Sequence, residues 1–165
     1  MKRRAFALAA SALLGPWPLH AQDKPPVRIL VGFPPGGSAD IVARLLADKM
    51  RVTLGQNVLV DNKPGAAGRV ALGEVKRAAP DGQVLVLAPS GALVILPWLY
   101  KNLGYDPAKD FTPVARASTF DFAVTAGPAA PAGDLKTILA WMKENPGKAN
   151  YATSGAGTVP APGVP

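Results

Sequence analysis

The chain is expected to fold as an α/β protein with a parallel, doubly wound sheet. Three short apolar runs, Val27 to Phe33, Asn57 to Asn62 and Gln83 to Ala88, have strand length, and a near-continuous apolar run suits a strand covered on both faces. Between the runs, apolar residues recur at helical spacing. Glycine, proline or polar clusters separate them, and strands alternating with helices at this interval argue for βαβ units.

The first run passes into the glycine-rich stretch FPPGGSAD, Phe33 to Asp40. From Ser38 onward Ile41, Val42, Leu45, Leu46 and Met50 mark one helix face, with Arg44, Asp48, Lys49 and Arg51 on the other, and Gly55 ends the helix. After the second strand, KPGAAG reads as a loop. Val70, Ala71, Val75, Ala78 and Ala79 then form a weaker helical stripe, stopped by Pro80 to Gly82. The third strand runs into the turn PSG. Leu93 to Tyr100 is expected to form a short helix or helical turn, and Tyr105 to Ser118 to be loop-rich. Phe120 to Gly127 alternates enough for a strand, and the proline-rich stretch after it suits a boundary. Asp134 is placed to cap a helix over LKTILAWMKEN, ended by Asn145, Pro146 and Gly147. ANYATSG resembles another strand, feeding a second glycine-rich turn, SGAGT. The expected helix does not follow: Pro160, Pro162 and Pro165 oppose it, which reads as a truncation or frame disturbance.

Composition excludes several functions. In a chain of 165 residues, Lys2, Arg3 and Arg4 precede an apolar run ending at Leu14, and LHA, Leu19 to Ala21, supplies a small residue for cleavage; residues 1–21 read as an export signal. The apolar run is shorter than the roughly 20 residues that span a bilayer, and without cysteine no lipid anchor is expected. Loss of the leader lowers the formal charge from +7 to +4 and removes His20, the only histidine. A mature chain without His or Cys builds no Ser-His-Asp or Cys-His nucleophile pair, no Cys/His zinc site and no disulfide. Its acids are spread along the chain, so neither an enzyme nor a cofactor is expected. The remaining basic residues form no run interleaved with aromatics, which argues against nucleic acid as a partner.

In an open α/β sheet, ligands sit beyond the carboxyl ends of the strands, where FPPGGSAD lies. Gly36 and Gly37 allow close backbone approach, and Ser38 at the N-cap leaves the first helical amides facing the crevice. Free amides and the helix dipole favour an anion, a carboxylate or a phosphate. No P-loop or dinucleotide fingerprint is present, which disfavours nucleotides. Each glycine turn taken alone is equally a plain βα connection. Asp40, in the first helical turn, suits the dipole as a helix-start carboxylate or holds a ligand hydroxyl or a water. Ser90 and Gly91, after the third strand, are expected at the same sheet edge.

Taken in order, VRILVGFPPGGSADIVARLLADKM, LGQNVLVDNKPGAAG, AAPDGQVLVLAPSG, LYKNLGYDPAKDFTPVA and NPGKANYATSGAGT resemble the Bug or TctC-like extracytoplasmic solute receptors of the tripartite tricarboxylate transporter. The resemblance runs from about Val27 to Thr158. It implies a periplasmic, monomeric binding protein of two α/β lobes, a Venus flytrap, that passes a small carboxylate to membrane permease subunits. By this resemblance lobe one covers residues 22–115, a hinge strand region 116–127 and the start of lobe two 128–165. The ligand-binding residues implied are Phe33, Pro35, Gly36, Gly37, Ser38 and Asp40, partly through ordered water, with Ser90 and Gly91 on the same side. Ser154, Gly155, Gly157 and Thr158 would face them from lobe two. Family members continue beyond the Gly-Thr turn for well over another hundred residues, so a non-functional truncated remnant is the alternative. Arg69 also stands where relatives tend to carry a smaller polar residue, which would alter the rim of the site.

Overall fold

The computed structural model describes residues 24–153; the predicted leader and the turn Ser154 to Thr158 lie outside the described residues. Strand β1 spans Val27–Val31, β2 Val58–Asn62 and β3 Val84–Leu87, and they form a parallel sheet in the order β2-β1-β3. Helix α1, Ser38–Leu54, joins β1 to β2, and helix α2, Arg69–Arg77, joins β2 to β3. The first connection steps to one side of β1 and the second crosses back to the other. Two right-handed crossovers in opposite directions put their helices on opposite faces, the doubly wound arrangement that the sequence predicts.

The two cores confirm that placement. Val27, Ile29 and Val31 project from β1 onto Ala43 and Ala47 of α1, with Val58 of β2 beside them. The small alanines let α1 lie close on the sheet, while Arg44, Asp48 and Arg51 keep its outer face in water. On the other face Leu72 of α2 meets Ala92, Leu96 and Tyr105. Leu30 and Val31, with no exposed surface, show why the first run does not alternate: both faces of the central strand are covered. Burying such a side chain contributes about 1.5–3 kcal/mol.

The second core is pinned by one polar contact. The buried Tyr105 hydroxyl donates to the Ala92 carbonyl, and its ring meets Phe111 edge-on with centroids 5.5 Å apart. Replacing Tyr105 by Phe keeps the ring and strands a buried acceptor, so urea denaturation should show a loss of about 1–2 kcal/mol.

Beyond β3 the structure departs from the sequence expectation in four places. The PSG stretch is not a plain turn, because Ser90 opens a short helix, α3 (Ser90–Val94), followed by α4 (Leu96–Leu99). The loop after Tyr105 contains a single helical turn, α5 (Pro107–Asp110), started by Pro107 and capped by Asp106, which accepts from the Ala108 amide. Phe120 to Gly127 forms no strand. A strand is a paired object, and no described strand lies alongside to take its backbone bonds. Phe120 and Phe122 instead pack edge-to-face on each other, both largely exposed. Helix α6, Leu135–Glu144, is capped by Asp134 as predicted, through bonds to the Thr137 amide and hydroxyl. Ala149 to Thr153, the described part of the last expected strand, is likewise unpaired into a sheet.

Candidate functional site

Parallel strands send all their carboxyl ends to one edge. There the chain continues as three loops: Gly32 to Gly37 after β1, Lys63 to Gly68 after β2, and Ala88 with Pro89 after β3. Val31 pairs with Leu87 and with Asn62, so the strand ends lie level. The crossover reverses at β1, which makes the gap between β1 and β3 the topological switch point, where open α/β sheets hold their ligands.

The loop after β1 is built around Asp40, a buried carboxylate only 3% exposed. Its Oδ2 accepts from the Gly36 amide and from Arg44 Nε, each at 2.9 Å, and its Oδ1 accepts from Asn62 Nδ2 at 3.0 Å. The Arg44 guanidinium and the Gly36 amide hold this carboxyl far below the ordinary carboxylate range, so it stays ionised. Asn62 also donates to the Phe33 carbonyl at 3.1 Å and so ties both ends of the loop to the end of β2. Gly36, at φ +86°, makes the turn that brings its amide onto Asp40.

This arrangement corrects one sequence expectation. The N-cap of α1 is Gly37, and Ser38 is the first helical residue. Both Asp40 oxygens and the Gly36 amide are engaged within the loop and with the end of β2. What remains open is the helix start itself. No side chain caps it, and the Ser38 and Ala39 amides have no acceptor among the described residues. Pro35, Gly36, Gly37 and Ser38 are exposed and Phe33 is half-buried. Arg44 balances the Asp40 charge, so the dipole of α1 faces solvent without a bare carboxylate beneath it. Ser90 is exposed and Gly91 buried at the start of α3, at the matching end of β3.

The second loop, marked in the sequence only as KPGAAG, is strained. Gly65, Ala66, Ala67 and Gly68 all have positive φ, at +137°, +47°, +57° and +89°. Two alanines in left-handed conformation cost about 1–2 kcal/mol each, and strain of this kind concentrates at ligand sites. The pair of glycines flanking AA was the available signal. A Cβ on Gly32 would lie 2.5 Å from Gly68 Cα, so the two backbones touch. Below the edge, Arg28 of β1 bonds Asp61 of β2 and Glu74 of α2, and Lys63 reaches the same two carboxylates, which fixes α2 against the sheet. The Arg28 guanidinium lowers the Asp61 carboxyl.

Residues 42–161 match the family described as "Tripartite tricarboxylate transporter family receptor". The chain belongs to this family. Among its relatives, a UPF0065 protein of Bordetella pertussis (strain Tohama I) is 38% identical over 156 residues, which is 93% of this chain and 46% of the relative. The chain thus spans about half the length of the curated relatives it matches. A solved structure titled as the periplasmic binding protein BugD is 36% identical with a TM-score of 0.65, covering 81% of this chain and 44% of that one. MatC from Rhodopseudomonas palustris, solved with bound malate, is 33% identical with a TM-score of 0.67, covering 81% and 45%. The TctC-family fold therefore accounts for the parallel α/β sheet, and the family is one of receptors. Of the predicted site residues, Phe33, Pro35, Gly36, Gly37, Ser38 and Asp40 lie in one loop and helix start, and Ser90 and Gly91 lie at the end of the adjacent strand. Ser154, Gly155, Gly157 and Thr158 lie outside the described residues.

Proposed function

We propose that this chain forms the carboxylate-binding part of a periplasmic solute receptor that serves a tripartite tricarboxylate transporter. The observation that carries the reading is the exposed, uncapped start of α1 at the switch point, where the Ser38 and Ala39 amides lack acceptors among the described residues. A carboxylate fits these donors, and MatC, a relative of the same fold, was solved with malate. Asp40, Arg44 and Asn62 act as positioning residues that hold the loop open. The strained Gly65 to Gly68 turn supplies a second wall.

On this reading residues 22–115 are the first lobe, 116–127 a connecting segment and 128–165 the beginning of a second lobe. Ser154, Gly155, Gly157 and Thr158 would close on the ligand from that lobe. Residues 1–21 direct export, the receptor is monomeric, and permease subunits take the ligand from it. No step in this cycle breaks a covalent bond, so no catalytic residue is assigned.

Amide-resolved NMR of the full chain, titrated with sodium malate against sodium chloride at equal ionic strength, tests the proposal. The Gly37 to Asp40 amides are expected to shift in a saturable manner with malate alone. A spectrum that malate leaves unmoved would sink it.

A further inference from the structure

We propose that Arg69 is a specificity-determining residue of this lobe: its guanidinium receives an anionic group of the ligand other than the one held at the start of α1. The inference rests on the carboxylate-receptor reading above. Arg69 is the first residue of α2 and follows directly on Gly68, whose backbone touches Gly32 and faces the Phe33 ring. It therefore stands one residue from the wall of the candidate site.

Its side chain is held in one plane. Arg69 Nε donates back to the Ala66 carbonyl at 3.1 Å, and the guanidinium carbon lies 4.5 Å from the centroid of the Tyr100 ring. Those contacts use one nitrogen and one face of the fork. The two terminal nitrogens have no acceptor among the described residues, and no carboxylate lies within ion-pairing distance. The side chain is half-buried, so the fork is presented without being shut in. Tyr100, which the guanidinium covers, packs against the same cluster as Ala92, and this sets Arg69 toward the Ser90 and Gly91 side of the sheet edge.

The electrostatics of the position are otherwise unfavourable. A cation at the first position of a nine-residue helix meets the positive end of the dipole, and the first turn of α2 contains no acid to offset it. Arg28, Arg44 and Arg51 each have a carboxylate partner. A bound anion would give Arg69 the partner that the protein does not, and a planar guanidinium matches a carboxylate in two-point fashion. A purely structural role, stapling the left-handed turn to Tyr100, is the competing explanation and predicts a different response.

The test compares succinate with butyrate, which have four carbons each and differ by one carboxylate, on the full chain by amide-resolved NMR titration. The wild-type chain should bind succinate roughly tenfold more tightly, the return expected of one charge-assisted pair. Arg69→Gln should bring the ratio to about one, with most of the loss falling on succinate. Arg69→Lys, which keeps the charge and loses the planar fork, should give an intermediate ratio and serves if the Gln variant does not fold. An unchanged ratio in the variants, or a parallel loss for both acids, overturns the assignment while the receptor reading stands. If neither acid perturbs the wild-type chain, both readings fall.

Discussion

Gly32→Ala is expected to destabilise the chain by about 3 kcal/mol or more, the upper range for forcing atoms into a packed interior. The added methyl would sit 2.5 Å from Gly68 Cα and 3.2 Å from the Gly68 carbonyl oxygen. Both are backbone atoms, and Gly68 is held by the bond from its amide to the Gly65 carbonyl at 2.9 Å, so it has no rotamer by which to retreat. Relief would require moving the whole left-handed turn or the end of the central strand. Gly68→Ala gives the internal comparison. Its methyl would meet only Phe33 Cε2 at 3.8 Å and Gly32 Cα at 3.9 Å, so its cost is conformational, about 1–2 kcal/mol for φ +89°. Urea denaturation of both variants should rank Gly32→Ala well below Gly68→Ala. Equal midpoints would mean that the two loops are not in contact.

Asp40→Asn should lower the melting temperature by roughly 5–10 °C at neutral pH, because it removes the ionised acceptor on which three donors converge. The amide leaves Arg44 without its countercharge and sets one NH2 group against donors from Gly36, Arg44 or Asn62. The pH response follows from the depressed Asp40 carboxyl. On acidification the unfolded chain, with a carboxyl near the ordinary value of about 4, takes up the proton before the folded one does. The stabilisation is therefore complete above about pH 5 and fades as pH falls through 4 toward the lower folded value. Thermal melts from pH 7 to pH 2 should show the wild-type advantage over Asp40→Asn shrinking on the acid side. A constant gap across that range would rule out the charge as the source. Asp61, Asp106, Asp110 and Asp134 are lowered as well, so the wild-type chain loses stability on acidification even apart from Asp40.

The parts of this fold that were legible in sequence are those set by local pattern. Continuous apolar runs marked the buried parallel strands, Gly55 at φ +58° marked the end of α1, and Asp134 marked the start of α6. Ser38 was misplaced by one position because serine is the better N-cap by propensity, whereas here the buried Asp40 carboxylate draws in the Gly36 amide and leaves Gly37 at the boundary. Phe120 to Gly127 alternates as a strand does, but alternation does not supply a neighbour. Asn62 was out of reach for a different reason. It reads as the polar end of a strand, and only the parallel register that sets it opposite Val31 shows that it holds the Phe33 carbonyl and Asp40 from across the sheet. Ala66 and Ala67 give no sign of a left-handed turn in their identity, because alanine favours the opposite hand.

The charges beneath the crevice have a further effect. Arg28 and Lys63 stand against Asp61 and Glu74, two cations against two carboxylates within hydrogen-bonding or ion-pairing reach. The group cancels within its own width and projects almost no potential past the Debye length, about 8 Å at physiological salt. Asp40 and Arg44 cancel in the same way. These two groups therefore contribute little to the attraction of an anion toward this edge of the sheet. On the proposed reading the helix start and the Arg69 fork supply the local attraction, and the capture rate of an anion should respond to ionic strength as that of a target with one or two charges.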